Sequence, residues 1–217
     1  MHGRVTIAIF AFGLVSTSFG GNDAAVVGVV RLPPPTLERP LDQRYQTSES
    51  VVVPINPPAA VVYLEGDFAA PAALAVKTTA EMSQKNMQFS PDLVAVRVGS
   101  AVTFPNLDDT YHNVFSYSRT KRFDLGRYRR DERPGTVVFD KPGLVTVHCE
   151  IHDRMRGTIL VLETPYFQKT DTTGRFQLDH LPAGHFLLKA WVSEADVRQQ
   201  PVDLKSGTTL RVDFRGR

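Results

Sequence analysis

The chain of 217 residues is long enough for one large domain or two small ones. Its 25 basic and 23 acidic residues leave a formal charge of +2, which argues for neither a nucleic-acid nor a membrane-surface partner; 42% hydrophobic and 22% charged content argues against wholesale disorder. A single cysteine, Cys149, excludes an intramolecular disulfide framework, so the fold must rest on its apolar core and on whatever Cys149 binds.

The chain opens with one positive side chain, Arg4, then an apolar run of 11 residues from Val5 to Val15, then small and hydroxylated residues from Ser16 to Gly21. That order predicts a secretory signal peptide over residues 1–20. The run is too short for a transmembrane helix, which needs about 20 apolar residues. The expected location is therefore the periplasm of a bacterium, or otherwise outside the cell.

Seven of the 15 prolines fall between Arg31 and Ala60, which predicts an irregular, partly extended loop. Short β-branched or alternating runs predict strands over Val26–Leu32, Val61–Leu64, Leu93–Val98, Ala101–Phe104, Thr136–Phe139, Leu144–His148, Thr158–Leu162, Phe186–Val192 and Thr209–Phe214. Turn residues separate them: Gly99-Ser100, Asp140 to Gly143, and Pro182 to Gly184. Ala69 to Ala75 is read as one short helical turn, and no window shows a long capped helical period. The expected class is all-β, a sandwich or barrel. The basic run Arg119–Arg133, with seven Lys and Arg against Asp124, Asp131 and Glu132, is read as a solvated surface loop.

The segment Cys149-Glu150-Ile151-His152-Asp153-Arg154-Met155 spells C-x2-H-x2-M on the connection between two predicted strands, with a second imidazole at His112, 37 residues upstream. Two His, one Cys and a weak axial Met are the donor set of a type 1 (blue) copper site, with His112, Cys149, His152 and Met155 as ligands of one ion. Thiolate is soft and covalent toward copper, imidazole suits both oxidation states, and thioether favours Cu(I) and tunes the potential upward. Ligation also gives a lone exported thiol a reason to persist in an oxidising compartment. His148 alternates away from Cys149 along its strand, and His180 and His185 lie outside the motif; all three are read as non-ligands.

These residues resemble the cupredoxins, the family of plastocyanin, pseudoazurin and amicyanin, including plastocyanin-like cupredoxins of the methylamine-utilisation type. The resemblance runs from Phe89-Ser90-Pro91 through VAVRVGSAVTFPNLDDTYHNVFS to FDKPGLVTVHCEIHDRMRGTILV, roughly Val76 to Glu163. It implies a cupredoxin Greek-key β-sandwich and the same four ligands. It also implies that the Asn113 side chain ties the His112 loop to the Cys149 loop. One departure is that Glu150, Asp153, Arg154 and Arg156 stand where the family carries apolar residues, which points to electrostatic partner recognition.

A second resemblance lies downstream. Thr170-Asp171-Thr172-Thr173-Gly174-Arg175-Phe176 and Leu181-Pro182-Ala183-Gly184-His185-Phe186 look like the second half of carboxypeptidase regulatory-like β-sandwiches, and Val26–Leu32 and Ala60–Leu64 look like their opening strands. The expected organisation is a signal peptide, 1–20, a discontinuous small sandwich, 24–70 plus 165–217, and a copper domain inserted at 76–164.

The function this implies is an exported blue copper protein carrying single electrons between redox partners of cytochrome or dehydrogenase type. The alternative is a copper-binding or delivery module without fast redox turnover. An enzyme is not expected. A Cys149–His nucleophile pair lacks an orienting residue and an oxyanion hole, and six His in all leave no cluster for a second copper.

Overall fold

The computed structural model describes residues 23–35, 56–68 and 79–215, so the expected signal peptide, most of the proline-rich stretch and the Ala69–Ala75 turn lie outside the described residues. Among the described residues there are seventeen strands and no helix. The chain begins with β1 (Ala24–Val29) and β2 (Val61–Glu65). The next ten strands are β3 (Thr79–Glu81), β4 (Ser83–Lys85), β5 (Gln88–Ser90), β6 (Leu93–Arg97), β7 (Ala101–Phe104), β8 (His112–Tyr117), β9 (Arg122–Tyr128), β10 (Gly135–Val138), β11 (Gly143–His148) and β12 (Arg156–Leu162). The last five are β13 (Phe167–Lys169), β14 (Arg175–Leu181), β15 (Gly184–Ser193), β16 (Asp196–Leu204) and β17 (Thr209–Arg211).

Strands from the two ends of the sequence share two sheets, ordered β14-β1-β17 and β13-β2-β15-β16. In β1 every second residue is buried, the alternation of a strand with one face on a core. That core joins both sheets through Val26, Val62, Leu64, Phe176, Leu188 and Val212. The middle strands form a second sandwich, ordered β10-β7-β3 and β6-β12-β11-β8-β9, with the hairpin β4-β5 beside it. Phe89, Val96, Phe104, Phe139, Val147 and Ile159 fill its interior, and Cys149 and Met155 belong to the same cluster.

A third cluster joins the two sandwiches. Leu93, Leu160 and Leu162 pack with Val61, flanked by Tyr63, Leu144, Phe167 and Trp191. This explains the unbroken apolar run Ile159-Leu160-Val161-Leu162: β12 is covered on both faces, so it has no solvent side to mark with polar residues. The side chain of Lys169 adds a polar tie across the same junction, donating to the Leu93 carbonyl at 3.1 Å.

The basic run departs from its expected loop. Residues 122–128 form edge strand β9, paired antiparallel with β8. Phe123 and Leu125 pack against the core while Arg122, Asp124 and Arg127 face out. The register slips between Asn113 and Phe115, where β9 carries one extra residue beside Gly126 at φ 69°. Such a bulge bends an edge strand and re-aims its side chains. Here it lies one residue from His112.

Candidate metal centre

Three neighbouring strands in the order β12-β11-β8 bring the predicted residues to one end of the sandwich. His112 opens β8, Cys149 follows the last residue of β11, and Met155 precedes the first residue of β12. Because β11 and β12 pair antiparallel with His148 opposite Arg156, the seven residues Cys149–Met155 make a closed connection between adjacent strands. The loop is pinned from inside: the Cys149 amide donates to the Met155 carbonyl at 3.3 Å, and the Met155 amide donates to the His152 carbonyl at 2.9 Å.

The result is a triangle of donor atoms. His112 Nδ1 and His152 Nδ1 lie 3.1 Å apart, and Cys149 Sγ lies 4.0 Å from the first and 3.8 Å from the second. The point equidistant from the three is about 2.1 Å from each, within the roughly 2.0–2.3 Å range of imidazole and thiolate bonds to a first-row ion. Two nitrogens converging at 3.1 Å with a sulfur between them fit a metal better than they fit each other. Among the described residues this is the one grouping of three or more His, Cys, Asp or Glu with converging ligand atoms. His112 is fully buried, Cys149 is 4% exposed and Met155 1% exposed, whereas His152 is only half-buried. Met155 closes the loop and packs in the same core cluster as Cys149.

The surrounding residues hold the triangle in place. Asn113, buried beside His112, accepts a hydrogen bond at Oδ1 from the Glu150 amide at 2.8 Å, which is the tie between the two loops that the resemblance implied. Arg127, on the bulged strand β9, clamps Glu150 with Nε–H···Oε1 at 2.7 Å. Asp108 Oδ2 lies 2.9 Å from His112 Nε2, on the side of the ring away from the triangle. Burial alone would raise the Asp108 carboxyl, but amide donors from Met87 and Asn86 and the His112 ring hold it below the usual carboxylate range. Burial and the facing His112 ring push the His152 imidazole below its ordinary value, against an opposing pull from Asp108. The neutral form of the ring is thereby favoured. Farther in, burial pushes the Tyr128 phenol well up, and its hydroxyl accepts from Gln84 Nε2 at 2.7 Å.

Asp108 and Arg127 were not singled out from the sequence as site residues. The only available signal for Asp108 was a carboxylate four residues before a ligand-type histidine. His148 points away from the triangle, its ring 5.7 Å from that of Phe115, and His180 and His185 are exposed on the outer sandwich. The charged loop side chains are partly neutralised by their neighbours, Glu150 by Arg127 and Asp109 by Arg130. Exposed apolar side chains also stand beside the centre: Leu107, Tyr111 and Ile151 each lie one residue from Asp108, His112 and His152. Charged loop side chains and exposed apolar area thus stand side by side at this end of the sandwich.

A β-sandwich with two imidazoles, a thiolate and a buried methionine at one end defines a copper-binding class of domain. Residues 75–162 match the family of copper binding proteins, plastocyanin/azurin family, and this segment is a cupredoxin domain set within a larger β protein. The strands on either side lie outside the matched segment. No curated protein matches the chain. Among solved structures, a novel purple cupredoxin from Nitrosopumilus maritimus is 22% identical and covers 38% of this chain and 99% of its own, with a TM-score of 0.34. A variant of amicyanin in its reduced state is 20% identical, covering 46% of this chain and 98% of its own, with a TM-score of 0.36. A Cu-containing nitrite reductase from Thermus scotoductus SA-01 is 20% identical, covering 63% of this chain and 28% of its own, with a TM-score of 0.37.

Proposed function

We propose that this protein is an exported single-copper electron carrier, in which His112, Cys149, His152 and Met155 would hold the copper. The triangle of two Nδ1 atoms and one Sγ is the observation that carries the reading. Bound there, copper supplies a one-electron Cu(I)/Cu(II) couple. The protein's part is to keep the donors still while the charge changes. A loop closed between paired strands and an Asn113 tie favour a geometry that differs little between the two oxidation states. His152, the half-buried ligand, offers a ring edge for outer-sphere transfer. Leu107, Tyr111 and Ile151 beside it, rimmed by paired charges, suit brief docking of a redox protein of cytochrome or dehydrogenase type.

The reading as a carrier takes the single grouping of potential metal ligands among the described residues as a one-copper site. The outer sandwich is read as carboxypeptidase regulatory-like on its T-D-x-x-G-x-F pattern, with a scaffolding or binding role.

The test is to add Cu(II) to the purified mature protein and record visible and electron paramagnetic resonance spectra. An intense band at ~600 nm from thiolate-to-copper charge transfer, with narrow hyperfine splitting, is the expected result. Cys149→Ala is expected to remove that band. A blue Cys149→Ala protein overturns the ligand assignment, and ordinary tetragonal signals in the parent overturn the electron-carrier reading in favour of copper binding or delivery.

A further inference from the structure

His112 is the buried imidazole of the triangle, and it cannot be steered by solvent. A neutral imidazole carries its one proton on either nitrogen, and only the tautomer with Nε2 protonated leaves Nδ1 free to donate to a metal. Asp108 Oδ2 sits 2.9 Å from Nε2, where it accepts that proton's hydrogen bond. The carboxylate is itself fixed from several directions. The amide of Asn86 donates to Oδ1 at 2.7 Å and that of Met87 to Oδ2 at 2.9 Å, both from the β4–β5 turn, where these residues have φ of 55° and 56°. Its own amide donates to Asn106 Oδ1 at 2.9 Å, and Asn106 Nδ2 holds the Thr110 and Tyr128 carbonyls at 2.9 Å each. The Asp108 side chain is 15% exposed and that of His112 is not exposed at all.

On this geometry we propose that Asp108 is the positioning residue of the centre. Its carboxylate sets His112 with Nδ1 facing the metal position before any ion arrives, and its negative charge, one imidazole ring away, biases the couple toward the more positive oxidation state. Outer groups of this kind both orient a ligand histidine and raise its basicity. The hairpin turn at Asn86 and Met87 therefore acts on the metal position through two hydrogen bonds in series.

The inference rests on the copper reading, and its test has one arm that does not. In the metal-free protein, 15N NMR of His112 is expected to show a single tautomer with Nε2 protonated, and Asp108→Ala to show a mixture. Asp108→Asn keeps an acceptor oxygen toward His112 while removing the charge. In the copper-loaded protein it is expected to raise the Cu(I)-to-Cu(II) affinity ratio about tenfold, which at 59 mV per decade for one electron reads as a potential about 59 mV higher. Asp108→Ala is expected to weaken Cu(II) binding by roughly 10–100-fold. If the parent is blue and Asp108→Asn leaves its potential unchanged, or if His112 keeps one tautomer in Asp108→Ala, the proposal fails while the copper reading stands. If Asp108→Ala does not fold, the potential of Asp108→Asn decides. A parent without the blue site overturns the copper reading, and the metal-free tautomer still decides whether Asp108 sets His112.

Discussion

Met155 is a core residue that the proposed function also makes a ligand. It is 1% exposed, packs in the same cluster as Ile159 and Val147, and has both its amide and its carbonyl engaged within the loop. On the proposed reading this thioether would be a weak ligand of the copper. Met155→Gln replaces it with a harder oxygen of similar length. Cyclic voltammetry of the copper-loaded variant is expected to give a lower potential than the parent, because the amide oxygen favours Cu(II). An unchanged potential would place Met155 in the core only. The C-x2-H-x2-M spacing made these residues legible because sequence neighbours on one short loop are neighbours in space. Asp108 was not legible. A carboxylate four residues before a histidine meets it on a helix, but here the two meet across a loop, and the loop's course depends on Asn106 reaching Tyr128 on another strand.

At the scale of elements, the β-branched runs were readable as strands and turn residues marked most ends, but β8, β14 and β16 were not among the expected strands. The edge strand β9 was hidden because its inward residues Phe123, Leu125 and Tyr128 are separated by charged or glycine positions whose composition reads as loop. Its partner β8 supplies the order that β9 alone lacks. Glycine has a sharper role in β1. A Cβ built on Gly28 would sit 1.7 Å from the Val212 carbonyl oxygen and 3.0 Å from the Phe176 ring. The obstacle is backbone, so it cannot swing aside. Gly28→Ala is expected to destabilise the protein at the upper end of the ~1–3 kcal/mol typical of overpacking, or beyond it. Urea denaturation measures this, and a midpoint equal to that of the parent would show that β1 and the Val212 segment separate freely.

At the scale of the whole molecule, the cluster around Leu93, Leu160, Leu162 and Val61 makes the copper domain and the outer sandwich share buried apolar surface. The consequence is mechanical and thermodynamic coupling. Leu160→Ala removes buried apolar volume from the junction and is expected to cost about 2–5 kcal/mol. In calorimetry the protein is expected to keep one unfolding transition, at a lower temperature. Two separated transitions in the parent would show that the sandwiches unfold independently. Part of this junction was visible beforehand in the unbroken apolar run of β12, but a run covered on both faces does not say what covers it. The cover comes from residues far away in sequence, Val61 and Trp191 among them.

The first two strands occupy interior places in their sheets: β1 lies between β14 and β17, and β2 lies between β13 and β15. All four partners are made after residue 166. As the chain is delivered from its N-terminus, the strands β3–β12 can therefore pair while β1 and β2 wait with both edges open, and such edges recruit other chains. The order of synthesis makes the closing of the outer sandwich the last and most exposed step. A chain cut short before β13 would leave both early strands without a single ladder partner.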